Sequence, residues 1–290
     1  EYRGYDSSGI ATLVNGKIER RRAEGKLRNL EARLRESPLD GAIGIGHTRW
    51  ATHGAPNEVN AHPHSDGVVG VVHNGIIENF RELRAELEGR GRVFSSVTDT
   101  EVVVHLISDL LDQGLSPLAA VQAGVAQLHG AYALAVMFRD LSDKIYVTRR
   151  GSPLAIGYGD GEMFVGSDAI ALAPMTDRIA FLEDGDISEI GLDGATTYDA
   201  AGVRVDRDIK PTHLTGAVIG KAGHRHFMHK EIFEQPGVSG DRLRSLIDPE
   251  TKRITMPFLD IDFAAVPRIS IVACGTSFYS GCVAKYWFED

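Results

Sequence analysis

Apolar residues in the first two-thirds of the chain follow two patterns. Short apolar runs predict strands, and apolar residues spaced three or four positions apart predict helices. The runs Ile10 to Val14 and Lys17 to Arg21 flank the pair Asn15-Gly16. This pattern is typical of a β-hairpin, because Asn-Gly supplies the positive φ angles of a two-residue turn. Leucines spaced three and four residues apart predict a helix from Lys26 to Arg35.

Short apolar runs and amphipathic stretches then alternate. Strands are predicted where the apolar runs have strand length, at residues 42–47, 67–73, 131–138, 144–148, 154–158, 163–165, 179–182 and 186–190. Helices are predicted where the apolar period lengthens, over 79–87 with Asn79 as its cap, from Thr98 onwards, and over 117–128. Strands on both sides of a group of helices favour an α+β architecture of layered, mostly antiparallel sheets.

The apolar rhythm fades from Gly194 to Gly223, which indicates an exit from the first domain into a connecting region. Beyond it, two helices are predicted over 226–233 and 239–247. A buried-type strand over 268–273 then leads into a turn and a helix beginning at Phe278. A lone strand and helix cannot cover their apolar faces, so we expect this sequence to be a piece of a longer protein, cut at both ends.

Composition narrows the class of protein. A chain of 290 residues allows one large or two ordinary domains. Its net charge of −9 is spread along the chain, which weighs against nucleic acid and anionic membranes as partners. The basic runs at 20–22 and 149–150 are interpreted as solvated faces. Two cysteines and no apolar run of about 20 residues favour a reducing cytoplasm, with no disulfide framework.

Arg49 and Asp99 are candidates for a charged pair that binds a substrate. Arg49 follows a predicted strand, and a guanidinium can bind a carboxylate through two parallel hydrogen bonds. The alternative role for Arg49 is a structural ion pair with an acidic residue of the protein. Asp99 lies at a predicted helix start, where its alternative is capping. Together they offer the cation and the anion that recognition of a zwitterionic amino acid requires.

Asn74-Gly75 follows the predicted strand 67–73 and allows two interpretations. The pair is a common turn. Alternatively, the Asn74 amide and the Gly75 N–H are two donors for an oxyanion, each worth about 3–4 kcal/mol of barrier in well-measured cases.

Five histidines crowd into one segment, at positions 47, 53, 62, 64 and 73. A metal site is one interpretation, since imidazoles bind zinc. The spacing is irregular and no cysteine lies nearby, which favours hydrogen-bonded histidines that shape a loop, with His53 nearest the substrate. No metal and no cofactor are therefore predicted.

A weaker signal lies near the C-terminus, where a predicted strand turns into a helix at Cys274, Gly275, Thr276 and Ser277. Free N–H groups and hydroxyls at a helix start suit a phosphate. An ordinary strand-to-helix turn is the alternative. Cys274 is interpreted as a binding-loop residue, because no histidine is placed beside it.

Seven blocks, read together, resemble the glutamine:fructose-6-phosphate amidotransferases in order and spacing. They are residues 1–9, 47–54, 60–64, 73–79, 98–101, 230–236 and 273–277. The resemblance implies an N-terminal-nucleophile (Ntn) αββα sandwich of antiparallel sheets over 1–195. It further implies a linker over 196–262 and the first βα unit of a doubly wound α/β sugar-isomerase (SIS) domain over 263–290.

The resemblance also implies an activity. An N-terminal cysteine thiolate attacks the glutamine amide with its own α-amine as base, and the ammonia converts fructose 6-phosphate to glucosamine 6-phosphate. We expect the strand and helix that carry this cysteine to precede Glu1, so the printed fragment is expected to be inactive. A homodimer without cofactor is implied for the full-length protein. The alternative is a catalytically silent regulator that binds glutamine or a sugar phosphate.

Residue roles are implied in the same way. Arg49 would bind the glutamine carboxylate and Asp99 its ammonium group, with Thr52 and His53 lining the pocket. Asn74 and Gly75 would form the oxyanion hole. The remaining implied contacts are Trp50 where ammonia leaves, Arg3 and Gly4 near the nucleophile, and Cys274, Gly275, Thr276 and Ser277 on fructose 6-phosphate.

Overall fold

The computed structural model describes residues 6–212, 223–247, 254 and 265–289, in two compact units that divide after Gly223. The first unit begins with β1 (Ser7–Val14), β2 (Lys17–Glu24), α1 (Leu27–Glu36), β3 (Gly44–Arg49), β4 (His64–Ser65) and β5 (Val69–Ile77). It continues with α2 (Phe80–Gly89), α3 (Thr100–Asp112), α4 (Pro117–Val125), β6 (Gly130–Phe138), β7 (Lys144–Arg150), β8 (Ala155–Tyr158) and β9 (Met163–Gly166). Its last elements are α5 (Ala169–Leu172), β10 (Arg178–Phe181), β11 (Ile187–Gly191), β12 (Gly194–Tyr198), β13 (Arg204–Val205) and β14 (Ile209–Pro211).

The predicted hairpin of β1 and β2 is confirmed. The strands pair antiparallel with Val14 opposite Lys17. Asn15 and Gly16 have φ angles of 50° and 72°, the positive values that this tight turn demands.

The described strands form three antiparallel sheets. The largest has the order β13-β12-β11-β7-β6-β5-β4, and the smaller sheets have the orders β2-β1-β3 and β14-β10-β8-β9. The alternation along β6 shows how they stack. Leu134 and Val136 pack among the helices α2, α3 and α4, whereas Ala135 and Met137 pack on the smaller sheets. The seven-stranded sheet therefore lies between a helical layer and a second layer of strands, and α1 packs on the outer side of β1 and β2.

Secondary structure continues through the region where the apolar rhythm fades. Residues 194–198, 204–205 and 209–211 form β12, β13 and β14, of which β13 and β14 are edge strands and β12 lies next to the edge. Edge strands bury few side chains, so the hydrophobic pattern that identifies central strands is weak in them.

The second unit contains α6 (Phe227–Leu246) and α7 (Gly275–Glu289) among its described residues. The prediction of two separate helices over 226–247 was wrong, because Pro236 lies inside a single helix. Proline in a helix removes one backbone hydrogen bond without necessarily ending the helix. The strand predicted over 268–273 was also wrong, since no described residue pairs with it as a strand.

None of the helices in the described ranges has the length and apolar character needed to cross a lipid bilayer.

Candidate active site

A cavity of about 760 Å³ in the first unit brings together six of the predicted site residues. Its lining includes Arg49, Trp50, Thr52, Asn74, Gly75 and Asp99. They come from the end of β3, the C-terminal half of β5 and the residue before α3. Three segments about 25 positions apart in sequence therefore contribute side chains to the same cavity.

Arg49 is the last residue of β3 and is only 3% exposed. Its Nη1 donates to the carbonyl of Ala55 at 3.2 Å, and its Nη2 donates to the carbonyls of His53 and Gly54. Within the described part of the chain, no carboxylate lies within ion-pair distance of the guanidinium. The structural ion pair is therefore not what holds Arg49, and the loop 53–55 curls around its guanidinium instead.

Burial lowers the pKa of Arg49, while the carboxylates of Asp99 and Asp6 raise it. A buried cation with no paired carboxylate in the described residues is a favourable partner for an anionic ligand.

Asp99 is only 4% exposed and occupies the N-cap position of α3, yet its side chain makes no capping hydrogen bond. Its Oδ2 instead accepts a hydrogen bond from the backbone N–H of Ile77 at 2.9 Å. Its Oδ1 lies 4.0 Å from Nδ1 of His53, and its Oδ2 lies 3.8 Å from Nδ1 of His73. The carboxylate thus faces β5 and the cavity, and the capping alternative does not describe its side chain.

Asn74 and Gly75 lie inside β5, so the turn interpretation does not hold. Asn74 pairs with Ala133 and Gly75 with Tyr132, and the strand continues to Ile77. Gly75 has a φ of 133°, and a Cβ there would lie 2.1 Å from the carbonyl oxygen of Ala131. Only glycine fits this backbone, and its distortion occurs where the strand borders the cavity.

Trp50, Thr52 and His53 occupy the loop that follows β3. Trp50 is 61% exposed at the cavity's edge. The His53 ring packs edge-on against Phe80, with centroids 5.0 Å apart. His53 therefore lies beside Asp99.

The other four histidines of the segment form a cluster in which His62, His64 and His73 are buried and His47 is half-buried. The Thr100 hydroxyl lies 2.7 Å from Nε2 of His62 and 3.0 Å from Nδ1 of His73. Nε2 of His64 lies 3.1 Å from the hydroxyl of Thr98. Among the described residues, no group of three or more His, Cys, Asp or Glu side chains is arranged to hold a metal ion.

Burial lowers the pKa of all four imidazoles, to about 3 for His47 and His64. They are therefore neutral at pH 7, and His47, His62 and His73 form part of the cavity wall.

Several residues that fix this site were not singled out from the sequence. Asp6 accepts a hydrogen bond from the N–H of Ala51 at 2.7 Å, which positions the start of the Trp50 loop. The interpretation of residues 20–22 as a solvated face was wrong, because all three guanidiniums are half-buried and bind backbone carbonyls, those of Ser37 and Pro38 in the case of Arg21. Arg20 donates to the carbonyl of Pro63, and Arg22 donates to those of Val59 and Ala61. A run of basic residues looks the same in sequence whether its side chains bind backbone carbonyls or face solvent.

Arg3 and Gly4 lie outside the described residues. Cys274, Gly275, Thr276 and Ser277 belong to the second unit, where Gly275 begins α7 and Cys274 is exposed. The Cys274 carbonyl accepts from the N–H of Phe278 at 3.4 Å, as in a first helical turn.

Comparisons with known proteins agree with this geometry. A sequence-family model described as "Glutamine amidotransferase domain" matches residues 47–174. A glutamine–fructose-6-phosphate aminotransferase (isomerizing) of Gluconobacter oxydans is 54% identical over 291 residues, which is 100% of this chain and 48% of that protein. One from Bradyrhizobium diazoefficiens is 56% identical with the same coverage. The chain spans about half the length of the curated relatives it matches.

Among solved structures, the glutamine phosphoribosylpyrophosphate amidotransferase from B. subtilis, complexed with ADP and GMP, matches with a TM-score of 0.59. It is 25% identical, and the match covers 69% of this chain and 44% of that one. The layered sheets and the cavity thus define a glutamine amidotransferase domain with the Ntn sandwich fold. The chain belongs to the family of glutamine–fructose-6-phosphate aminotransferases.

Proposed function

We propose that the protein to which this chain belongs hydrolyses L-glutamine and transfers the amide nitrogen to fructose 6-phosphate. The products would be glutamate and glucosamine 6-phosphate, a step of amino-sugar biosynthesis. The observation that carries the proposal is the shared cavity, in which a buried guanidinium, a buried carboxylate and the Asn74-Gly75 pair converge. The family relationship supports it independently, since the named relatives are aminotransferases of this kind.

In this proposal the two charged groups bind the α-substituents of glutamine. The Arg49 guanidinium binds the α-carboxylate, because three of its N–H contacts are held by loop carbonyls and the group is already oriented. The Asp99 carboxylate binds the α-ammonium, because its side chain is not used for capping. Thr52 lines the same pocket, His53 lies beside Asp99, and Trp50 is assigned to the ammonia exit.

The side-chain amide of glutamine then lies near β5. The Asn74 amide makes no hydrogen bond with the described residues, and the strand distortion at Gly75 leaves backbone without a Cβ beside it. We assign these groups the oxyanion that forms when a nucleophile attacks the amide carbon. By family resemblance the nucleophile is an N-terminal cysteine, near which Arg3 and Gly4 would lie.

The second half of the reaction is assigned to the sugar-isomerase part of the protein. Cys274, Gly275, Thr276 and Ser277 would contact fructose 6-phosphate, and the start of α7 supplies N–H groups of the kind that bind phosphate. A boundary near residue 195, a linker to 262 and an isomerase domain from 263 form part of the same proposal, together with a cytoplasmic homodimer.

The test uses the natural full-length protein with L-glutamine and fructose 6-phosphate. We expect glutamate and glucosamine 6-phosphate in equal amounts. The variant Asp99→Asn should raise the KM for glutamine about tenfold to a hundredfold, because it removes a charge-assisted hydrogen bond worth about 1.5–3 kcal/mol. Asp109→Asn, on the same helix but paired with Arg90 and Arg92, is the matched control and should leave KM unchanged.

Release of neither product by the wild-type protein would reject the proposal. Glutamine binding without turnover would instead favour a silent regulator.

A further inference from the structure

Glu101 is a buried carboxylate that lies one residue into α3, close to the cavity but outside its lining. It is 5% exposed. Its Oε1 accepts hydrogen bonds from the backbone N–H of Ser95 at 2.8 Å and from the Ser95 hydroxyl at 2.7 Å. Its Oε2 accepts from the backbone N–H and the hydroxyl of Ser96, both at 2.6 Å. One side chain thus binds four donors of the loop that leads into its own helix.

This loop connects directly to Asp99, so its position determines where the Asp99 carboxylate lies. The Ser96 hydroxyl also bonds the hydroxyl of Thr98 at 3.0 Å, and Thr98 contacts His64. The loop is therefore held by two groups: the Glu101 carboxylate binds Ser95 and Ser96, and His64 of the histidine cluster contacts Thr98. Asp99 itself contributes no capping bond to α3, which leaves Glu101 as the acidic group that ties the helix start to the loop.

The same loop is joined to the segment that surrounds Arg49. Asn60 accepts from the N–H of Val97 at 3.3 Å and donates to the carbonyl of Ala55 at 3.0 Å. That carbonyl also accepts from Arg49. Hydrogen bonds on either side of the Ser96–Val97 peptide bond therefore connect Glu101 to the loop around the arginine.

We propose that Glu101 is a positioning residue for substrate recognition: it holds the loop 95–98 so that the Asp99 carboxylate is presented to the α-ammonium of glutamine. The proposal rests on the proposed function of the cavity. It assigns to Glu101 no contact with substrate. Its effect on the α-ammonium is exerted through Asp99.

A positioning role makes a prediction that a purely structural role does not. Loss of Glu101 should weaken ligands that have an α-ammonium and spare those that lack it. L-glutamate and glutarate form such a pair, because they differ only by that ammonium group. Their inhibition constants against glutamine hydrolysis separate the two roles.

The experiment compares wild-type protein with Glu101→Gln, in the natural full-length form. A glutamine side chain replaces one carboxylate oxygen with an NH₂ group, which cannot accept hydrogen bonds. The two hydrogen bonds that this oxygen accepts from Ser95 or from Ser96 are therefore lost. We expect the inhibition constant of L-glutamate to rise about tenfold and that of glutarate to change less than twofold. The KM for glutamine should rise with kcat largely kept.

Ser96→Ala is the second variant. It removes the hydroxyl bonds to Glu101 and Thr98 and keeps the backbone bond to Glu101, so the same selective change should appear at smaller size even if Glu101→Gln does not fold. Asp109→Asn is the matched control on the same helix, and it should change neither constant. A parallel rise of both constants, or no change in either, would overturn the proposal. Absence of glutamine hydrolysis in the wild-type protein would instead count against the function of the cavity itself.

Discussion

At the scale of single residues, Arg49 shows why a site can be predicted in part. The sequence identified a guanidinium after a strand, and the structure places it in the cavity. What the sequence did not show is that the loop carbonyls of residues 53–55 hold it. Hydrogen bonds to backbone oxygens leave no trace in side-chain patterns, because any residue provides a carbonyl.

Arg49→Lys is predicted to raise the KM for glutamine tenfold or more. The lysine ammonium keeps the positive charge but has only three N–H donors. It therefore cannot bind the three loop carbonyls and the substrate carboxylate together, as the planar guanidinium can. Steady-state glutaminase kinetics provide the measurement. Arg149→Lys is the control, since that guanidinium also binds three backbone carbonyls, of Gly151, Ser152 and Leu182. An unchanged KM in Arg49→Lys, or an equal change in both variants, would show that Arg49 serves only the loop.

Gly75→Ala should destabilise the protein by about 3 kcal/mol or more, because a left-handed φ and a 2.1 Å approach to the Ala131 oxygen occur together. Gly16→Ala shares the positive φ but meets no atom within 4 Å, so its cost should be about 1 kcal/mol. Urea unfolding of both variants measures the difference. Equal losses would contradict the close approach at residue 75.

At the scale of elements, apolar runs and turn chemistry predicted most of the first unit. The β6 strand was found as a continuous apolar run of strand length, because Leu134 packs in the helical layer and Met137 packs on the smaller sheets, so both faces of the strand are buried. Strands β12 to β14 were missed because they are short, lie at or next to sheet edges and bury few side chains. The two predicted helices around Pro236 form one, since a proline weakens a helix without always ending it.

Leu134→Ala should lower the free energy of unfolding by about 2–5 kcal/mol, since this side chain is 1% exposed among the packed helices. Leu192→Ala, at a 65% exposed position, should change it by less than about 0.5 kcal/mol. Chemical denaturation distinguishes the two. Similar losses would contradict the assignment of the β6 faces.

At the scale of the whole molecule, the first unit is organised around neutral histidines that the sequence grouped but could not assign. The histidines between residues 47 and 73 are irregularly spaced in sequence, so their spacing does not predict a cluster. Their rings come into contact because β3, β5 and the segment between them fold together. The hydrogen bonds of His62, His64 and His73 to Thr98 and Thr100 connect the core to the start of α3.

This cluster predicts a dependence of stability on pH. The folded-state pKa of His47 and His64 is about 3, against 6.5 for an unperturbed histidine, so only the unfolded state takes up these protons between those values. The free energy of unfolding should therefore be constant above about pH 6.5. It should fall below that by about 1.4 kcal/mol per histidine for each pH unit.

Urea titrations at pH 4.5, 5.5 and 7.5 measure this slope. His64→Gln removes one titrating group and can still bond Thr98, so its slope should be shallower by about 1.4 kcal/mol per pH unit. Equal stability at pH 4.5 and 7.5 would contradict buried, neutral imidazoles.

The central claim is that one cavity binds both charged ends of glutamine. A crystal structure of the natural protein with L-glutamate bound tests it most directly. We predict the α-carboxylate within hydrogen-bond distance of the Arg49 guanidinium and the α-ammonium within that distance of the Asp99 carboxylate. The side-chain carboxylate should lie beside Asn74 and Gly75. Glutamate bound in another place, or in this cavity with its α-substituents away from both residues, would contradict the account.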